Sequence, residues 1–126
     1  MVDILKKRTI FQMLSDVRIT SDLDYQKNVW YSDNKEYSGN FNELICSFFD
    51  FYDNDELHED PDSFGLSSEQ YQALKFFGEE LDKYSDNVIG HPTEERLMQD
   101  PEWHRMQKLA EETLNLFEGW EEKYAG

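Results

Sequence analysis

Hydrophobic residues recur along this chain at helical spacing in three clear places. At about 100° per residue, Phe41, Leu44, Ile45, Phe48, Phe49, Phe51 and Tyr52 fall within one arc, with Glu43, Ser47 and Asp50 opposite. The spacing predicts a helix opening at Asn40, whose side chain is placed to cap it while Glu43 reaches back. A second helix is predicted from Ser67, where Ser67 and Gln70 form a capping box and Leu66 and Tyr71 a hydrophobic staple. Tyr71, Leu74, Phe77, Leu81 and Tyr84 continue its apolar stripe. Gly78 costs that helix about 1 kcal/mol relative to alanine, so either a neighbouring element packs closely there or the helix is locally weak.

The third pattern opens at Asp100-Pro101, a cap followed by proline at the first helical position. It runs toward Tyr124 through Trp103, Met106, Ala110, Thr113, Phe117 and Trp120, which makes it the longest helix expected. Leu109, Leu114 and Leu116 widen the stripe toward a core-facing surface, not a dimerising seam. A shorter helix capped by Thr93 takes in Leu97 and Met98, after a turn at Asn87, Gly90, His91 and Pro92. The first forty residues are less regular. Asp3 to Leu14 fits a helix with Ile4, Ile10, Phe11 and Leu14 inward, Val17 to Thr20 or Val29 to Tyr31 fit short extended pieces as alternatives, and the stretch is assigned to helix. Asp53 to Ser68, with Pro61 and Gly65, reads as the longest loop. These elements define an all-α fold: a compact bundle of four or five helices around an aromatic-rich core, in one domain spanning residues 1–126.

Charge changes the picture more than composition does. No lysine or arginine lies between Lys35 and Lys75, yet that stretch carries ten carboxylates. Residues 1–35 are net +1, the middle block −10 and residues 75–126 −7. Such a field attracts basic partners and repels nucleic acid and anionic membrane. At 15% aromatic the chain is nonetheless too rich in core-forming side chains to be disordered. No apolar run is long enough to span a bilayer, the N-terminus has no signal-peptide core, and Cys46 is alone, which together point to the cytoplasm. Cys46, among Leu44, Ile45 and Phe48, reads as a small core side chain and not as a reactive thiol.

Residues Asp53 to Asp60 suggest calcium, but an EF-hand needs glycine at the sixth position and glutamate at the twelfth, which counted from Asp53 are His58 and Phe64. His58, His91 and His104 form no zinc spacing, and no phosphate-cradling glycine loop exists, so neither metal nor cofactor is expected. Asp60 and Asp62 are close enough for acid–base chemistry, but in so polar a stretch they read as ordinary exposed carboxylates, and no catalytic residue is assigned. What remains is a choice between a solvated acidic loop and an interaction surface. Seven mutually repelling carboxylates, Asp50, Asp53, Asp55, Glu56, Glu59, Asp60 and Asp62, favour the second, because a basic partner relieves the repulsion. Tyr25, Trp30, Tyr31 and Tyr37, set among polar residues, are either binding anchors or core side chains.

Small size, strong acidity, one cysteine and the run from Leu44 through Tyr52 into Asp53 to Asp62 give the chain a character that resembles bacterial immunity proteins, above all those paired with toxins of contact-dependent growth inhibition and related polymorphic systems. The resemblance covers the whole chain and rests on no short motif. It implies a stoichiometric inhibitor that binds a cognate basic toxin, commonly a nuclease, and blocks its active site or substrate groove. It carries over no catalytic residues. The competing readings are a nucleic-acid mimic or acidic regulator that sequesters another basic protein and, further off, a small enzyme.

Overall fold

The structure is a computed structural model that describes residues 2–31, 41–88 and 92–124. Among the described residues every regular element is helical. They are α1 (Ile4–Ser21), α2 (Leu23–Tyr25) running into a π-helical turn (Gln26–Trp30), α3 (Phe41–Tyr52), α4 (Asp55–Glu59), a 3₁₀ turn (Pro61–Phe64), α5 (Ser68–Asp86), α6 (Glu94–Met98), α7 (Pro101–Asn115) and α8 (Trp120–Tyr124). Four long helices, α1, α3, α5 and α7, make the bundle. α1 packs chiefly on α7 and then on α3, and α5 on α7 and α3.

The local signals that are chemically complete appear as read. Ser67 Oγ accepts from Gln70 N at 3.1 Å while Gln70 Oε1 accepts from Ser67 N at 3.0 Å, closing the capping box. Asp100 caps α7 ahead of Pro101, and Thr93 caps α6. Gly78 turns out to be a close approach: a Cβ there would lie 2.3 Å from Cε2 of the Tyr52 ring, so α3 rests its last aromatic directly on the α5 backbone. The expected cap at Asn40 and the turn residues Gly90 and His91 lie outside the described residues.

Several readings need correction. α1 is one helix to Ser21, so the helical assignment holds there and the extended alternative at Val17 to Thr20 does not. Its β-branched residues weaken helix propensity locally, but Val17 and Thr20 are fully buried against the other helices and the packing prevails. Ile4, expected inward, is exposed. The Val29–Trp30 segment is likewise helical, in a π turn. There, buried Gln26 donates its amide to the carbonyls of Ile19 and Thr20 at 2.7 and 3.0 Å and accepts from Trp103 Nε1 at 3.0 Å, so one side chain satisfies three polar groups that the irregular backbone buries. The stripe from Trp103 to Trp120 is not one helix, and α5 (19 residues) exceeds α7 (15 residues). After Asn115 the bonding tightens to i→i−3 contacts and Gly119 adopts φ 83°, a left-handed conformation that turns α8 aside. Trp120 thereby reaches the Gly65 carbonyl through its indole N–H at 2.8 Å.

Cys46 is exposed, not buried. Two residues from Phe48 is about 200° around a helix, so Cys46 points away from the side that Phe48 buries. The stretch from Asp53 to Ser68 is also not a loop throughout: it contains α4 and the 3₁₀ turn, anchored by buried Leu57, Phe64 and Leu66.

The core is aromatic as the composition implied. Trp103 is fully buried with Trp30, Phe41 and Tyr84 around it at ring separations of 6.3, 5.6 and 5.3 Å. One carboxylate is folded into the bundle. Asp16 of α1 is buried, accepts from the Ser47 hydroxyl of α3 at 2.8 Å, and is pushed up to about 6 by that burial, with the Ser47 bond pulling the other way. Its value in the unfolded chain is near 3.8, so the folded state takes up a proton as the pH falls from about 6 to about 4. The stabilisation is full below the unfolded value and is lost as pH rises through the folded one. The thermal midpoint should therefore climb between about pH 7.5 and about pH 5.5, above the range where surface carboxylates titrate. Asp16→Asn, which keeps an acceptor for Ser47, should stabilise the chain by about 1 kcal/mol at neutral pH and flatten that climb. A variant whose melting tracks the parent at every pH would place the dependence elsewhere.

Candidate functional site

The acidic block occupies the end of α3, all of α4 and the 3₁₀ turn, and the fold holds it rigidly. Asn54 caps α4 by accepting from Glu56 N at 2.9 Å, and Leu57 one turn on is buried. His58, which in the sequence looked like an ordinary surface histidine, is the bolt. Its Nε2 donates to the Tyr52 carbonyl at 2.6 Å, which leaves Nδ1 to accept from the Tyr71 hydroxyl at 2.8 Å. Its ring also meets Tyr52 edge-on at 4.9 Å. One imidazole thus joins α4 to the C-terminal end of α3 and to α5.

Asp50, Asp53, Asp55, Glu56, Glu59, Asp60 and Asp62 are all exposed. Glu56 is engaged: Lys6 of α1 sits 2.8 Å from it and donates to Ser63 Oγ at 3.0 Å. The Glu56 bond, with Asp60 and Asp3 adding, holds the Lys6 ammonium above its ordinary value. The other ion pairs among the described residues lie away from this block: Arg18 with Glu121, Lys83 with Glu80, and Arg105 with Glu80 and Glu102. Arg18, Lys83 and Arg105 thus pair with carboxylates of α5, α7 and α8, outside the block. Asp50, Asp53, Asp55, Glu59 and Asp62 keep no cation of their own among the described residues.

Helix pairing adds acid that the contiguous reading missed. Because Tyr52 lies on Gly78, Glu79 and Asp82 of α5 as well as its neighbour Asp53 come near enough to act on its hydroxyl. Burial pushes the Tyr52 hydroxyl up to about 12, and the carboxylates of Glu79, Asp53 and Asp82 add to it. Phe49 meets the Tyr52 ring edge-on at 5.6 Å and is, like it, half-buried. The signal for this seam was present in the sequence as Gly78 inside a strong helix, next to Glu79.

The aromatic candidates separate. Trp30 is only 8% exposed and packs on Phe41 and Trp103, so it is a core side chain and not a surface anchor, a correction set by the π turn that swings it inward with Gln26. Tyr31 is half-buried and donates to the Pro92 carbonyl at 2.9 Å. Tyr25 stays at the surface on α2, whose neighbours are α1 and the π turn. Tyr37 lies outside the described residues. Trp103 and Trp120 are buried, as their stripe implied.

Among the described residues no group of three or more histidine, cysteine, aspartate or glutamate side chains is arranged to hold a metal ion, and no helix is long and apolar enough to cross a membrane. Comparison with protein-family models, with curated proteins and with solved structures finds no match. The functional reading therefore rests on the chemistry of the surface.

Proposed function

We propose that this chain is an immunity protein: a stoichiometric inhibitor that lays the acidic face of α3, α4 and α5 over the substrate groove or active site of a cognate basic toxin, a nuclease being the class the surface fits best. The observation that carries the reading is the sorting of charge. Arg18, Lys83 and Arg105 pair with carboxylates of α5, α7 and α8, while in the block Lys6 pairs with Glu56 and leaves Asp50, Asp53, Asp55, Glu59 and Asp62 without a cation among the described residues. A nuclease must present a cationic groove to a polyanion. A folded acidic surface competes for that groove, with electrostatic steering that raises association rates toward about 10⁸–10⁹ M⁻¹s⁻¹ at low salt. Contact-dependent growth inhibition systems supply partners of this kind.

Replacing Asp53, Asp55, Glu56, Glu59, Asp60 and Asp62 with their amides tests the reading. The fold should survive or gain slightly from relieved repulsion, while affinity for the toxin and protection of cells fall. Association should also slow with salt, because at 0.15 M the screening length is about 8 Å. The partner to assay is a basic toxin domain, sought first in the open reading frames next to the one that encodes this chain. An amide variant that binds and protects like the parent at every ionic strength would remove the block from the interface. The runner-up, a nucleic-acid mimic that sequesters basic proteins in general, separates from this by selectivity: an immunity protein prefers one cationic protein strongly over unrelated ones, and a mimic does not.

A further inference from the structure

One cation is already seated inside the acidic block, and its seat holds more than an ion pair. Lys6 reaches from α1 to α4 and the 3₁₀ turn, where its ammonium lies 2.8 Å from Glu56 Oε1, 3.0 Å from Ser63 Oγ and 5.3 Å from the centre of the Phe64 ring. Ser63 donates its own proton to the Asp60 carbonyl at 2.8 Å, so toward the ammonium its hydroxyl can only accept. Asp60 and Asp3 lie near enough to act on the same charge. All of these groups except Asp3 come from residues 56–64, a segment with its own bonds: Asp60 N donates to the Glu56 carbonyl at 2.8 Å and Ser63 N to the Asp60 carbonyl at 3.2 Å. Leu57 and Phe64 are buried and anchor it. A carboxylate, a hydroxyl turned lone pair first and an aromatic ring around one point suit a compact ammonium, whose donors spread in three directions. A flat guanidinium fork is built for bidentate pairing instead. The occupant is held lightly, since Glu56 is 59% exposed and such pairs are worth little, so an outside ammonium can take its place.

We propose that Glu56, Ser63 and Phe64 form a lysine subsite of the docking face, filled in the free chain by its own Lys6 and taken over by a lysine of the basic partner on binding. Lys6 is then a tethered competitor, and removing it should strengthen binding of lysine beyond what the lost charge alone explains. The partner's identity rests on the inhibitor reading, the chemistry of the subsite does not, and the two can fail separately.

The test uses the full chain. Lys6→Ala empties the subsite, and the probe is n-propylammonium, the part of the lysine side chain that this substitution removes, titrated against sodium chloride at matched ionic strength. The amide resonances of Glu56, Ser63 and Phe64 should shift saturably in Lys6→Ala and not in the parent. Adding Glu56→Gln should abolish the response, and adding Ser63→Ala should weaken it. Lys6→Met is a second route: it keeps the stem over Phe64, removes only the ammonium, and should respond to ammonium ion at the same resonances. Tetralysine then reads the competition. Lys6→Ala should bind it about two- to five-fold more tightly than Arg8→Ala, which removes the same charge from an exposed position two residues along α1. A far-UV spectrum and melt on each variant guard against misfolding. No saturable response in either opened variant, or equal binding of tetralysine by Lys6→Ala and Arg8→Ala, overturns the proposal. Toxin assays divide the remaining outcomes. A toxin bound as tightly by Lys6→Ala/Glu56→Gln as by Lys6→Ala overturns the lysine docking and leaves the inhibitor reading standing. A subsite that takes the amine, in a chain that binds no basic toxin, overturns the inhibitor reading and leaves the subsite.

Discussion

Phe48→Ala should lower the stability of the folded chain by about 3–5 kcal/mol, the range for emptying a well-packed aromatic site. Phe48 is fully buried on the inner face of α3, with the rings of Phe49, Tyr52 and Phe77 at 5.2, 5.5 and 5.2 Å. Its removal takes away transfer free energy and leaves a void between α3 and α5, next to the place where the Tyr52 ring rests on the Gly78 backbone. Against a typical total of about 5–15 kcal/mol, such a loss shifts the denaturant midpoint far enough to unfold a marginal domain. Cys46→Ala on the opposite side of α3 is the control and should change stability by no more than about 0.5 kcal/mol. Comparable midpoints for the two variants would mean that α3 is not oriented as described.

Gly78→Ala should destabilise by about 1–3 kcal/mol, although alanine is the better helix former by about 1 kcal/mol. The reason is steric. The new methyl group would lie 2.3 and 2.6 Å from Cε2 and Cζ of Tyr52, and that ring is stacked on Phe48 and met edge-on by His58, so it cannot simply swing away. The sign should reverse in a Tyr52→Ala background, where the clash is gone and only the helix propensity remains. The double-mutant cycle then reads the contact directly. A Gly78→Ala substitution that is neutral or stabilising in the parent would show that Tyr52 does not rest on α5.

How far the fold could be read in advance depended on the range over which each signal acts. The α5 start was legible because Ser67, Gln70, Leu66 and Tyr71 complete their bonds and contacts within one turn. The end of α7 was not, because the apolar stripe continues through Phe117 and Trp120 whether or not the backbone does, and the break depends on Gly119 turning left-handed to let Trp120 reach Gly65, far away in sequence. The length of α1 was hidden for the same reason: Val17 and Thr20 are helical on account of what they bury against. In the acidic block, residue identity was legible and geometry was not. Asp53 to Asp62 looked like loop because carboxylates mask the short helix that Asn54, Leu57 and His58 make. Glu79 and Asp82 joined the surface only through helix pairing. Trp30 shows the limit for aromatics, since a tryptophan among polar neighbours reads the same whether it faces solvent or, as here, closes the core over Trp103.

That α1 finds its principal partner in α7 bears on how the protein is made. As the chain leaves the ribosome, Ile10, Met13, Leu14 and Val17 emerge about 90 residues before α7, the helix that covers them, because α1 starts at Ile4 and α7 at Pro101. Contacts so distant in sequence cannot reward the chain until the intervening loop has been closed, so the bundle forms late and as a whole. Until then the uncompensated carboxylates between the two helices repel one another and oppose premature collapse of the nascent chain. A translation product that stops before Pro101 leaves α1 without its support and α5 without its floor. The acidic face is therefore held in shape only once α7 has been made and has docked on α1 and α5.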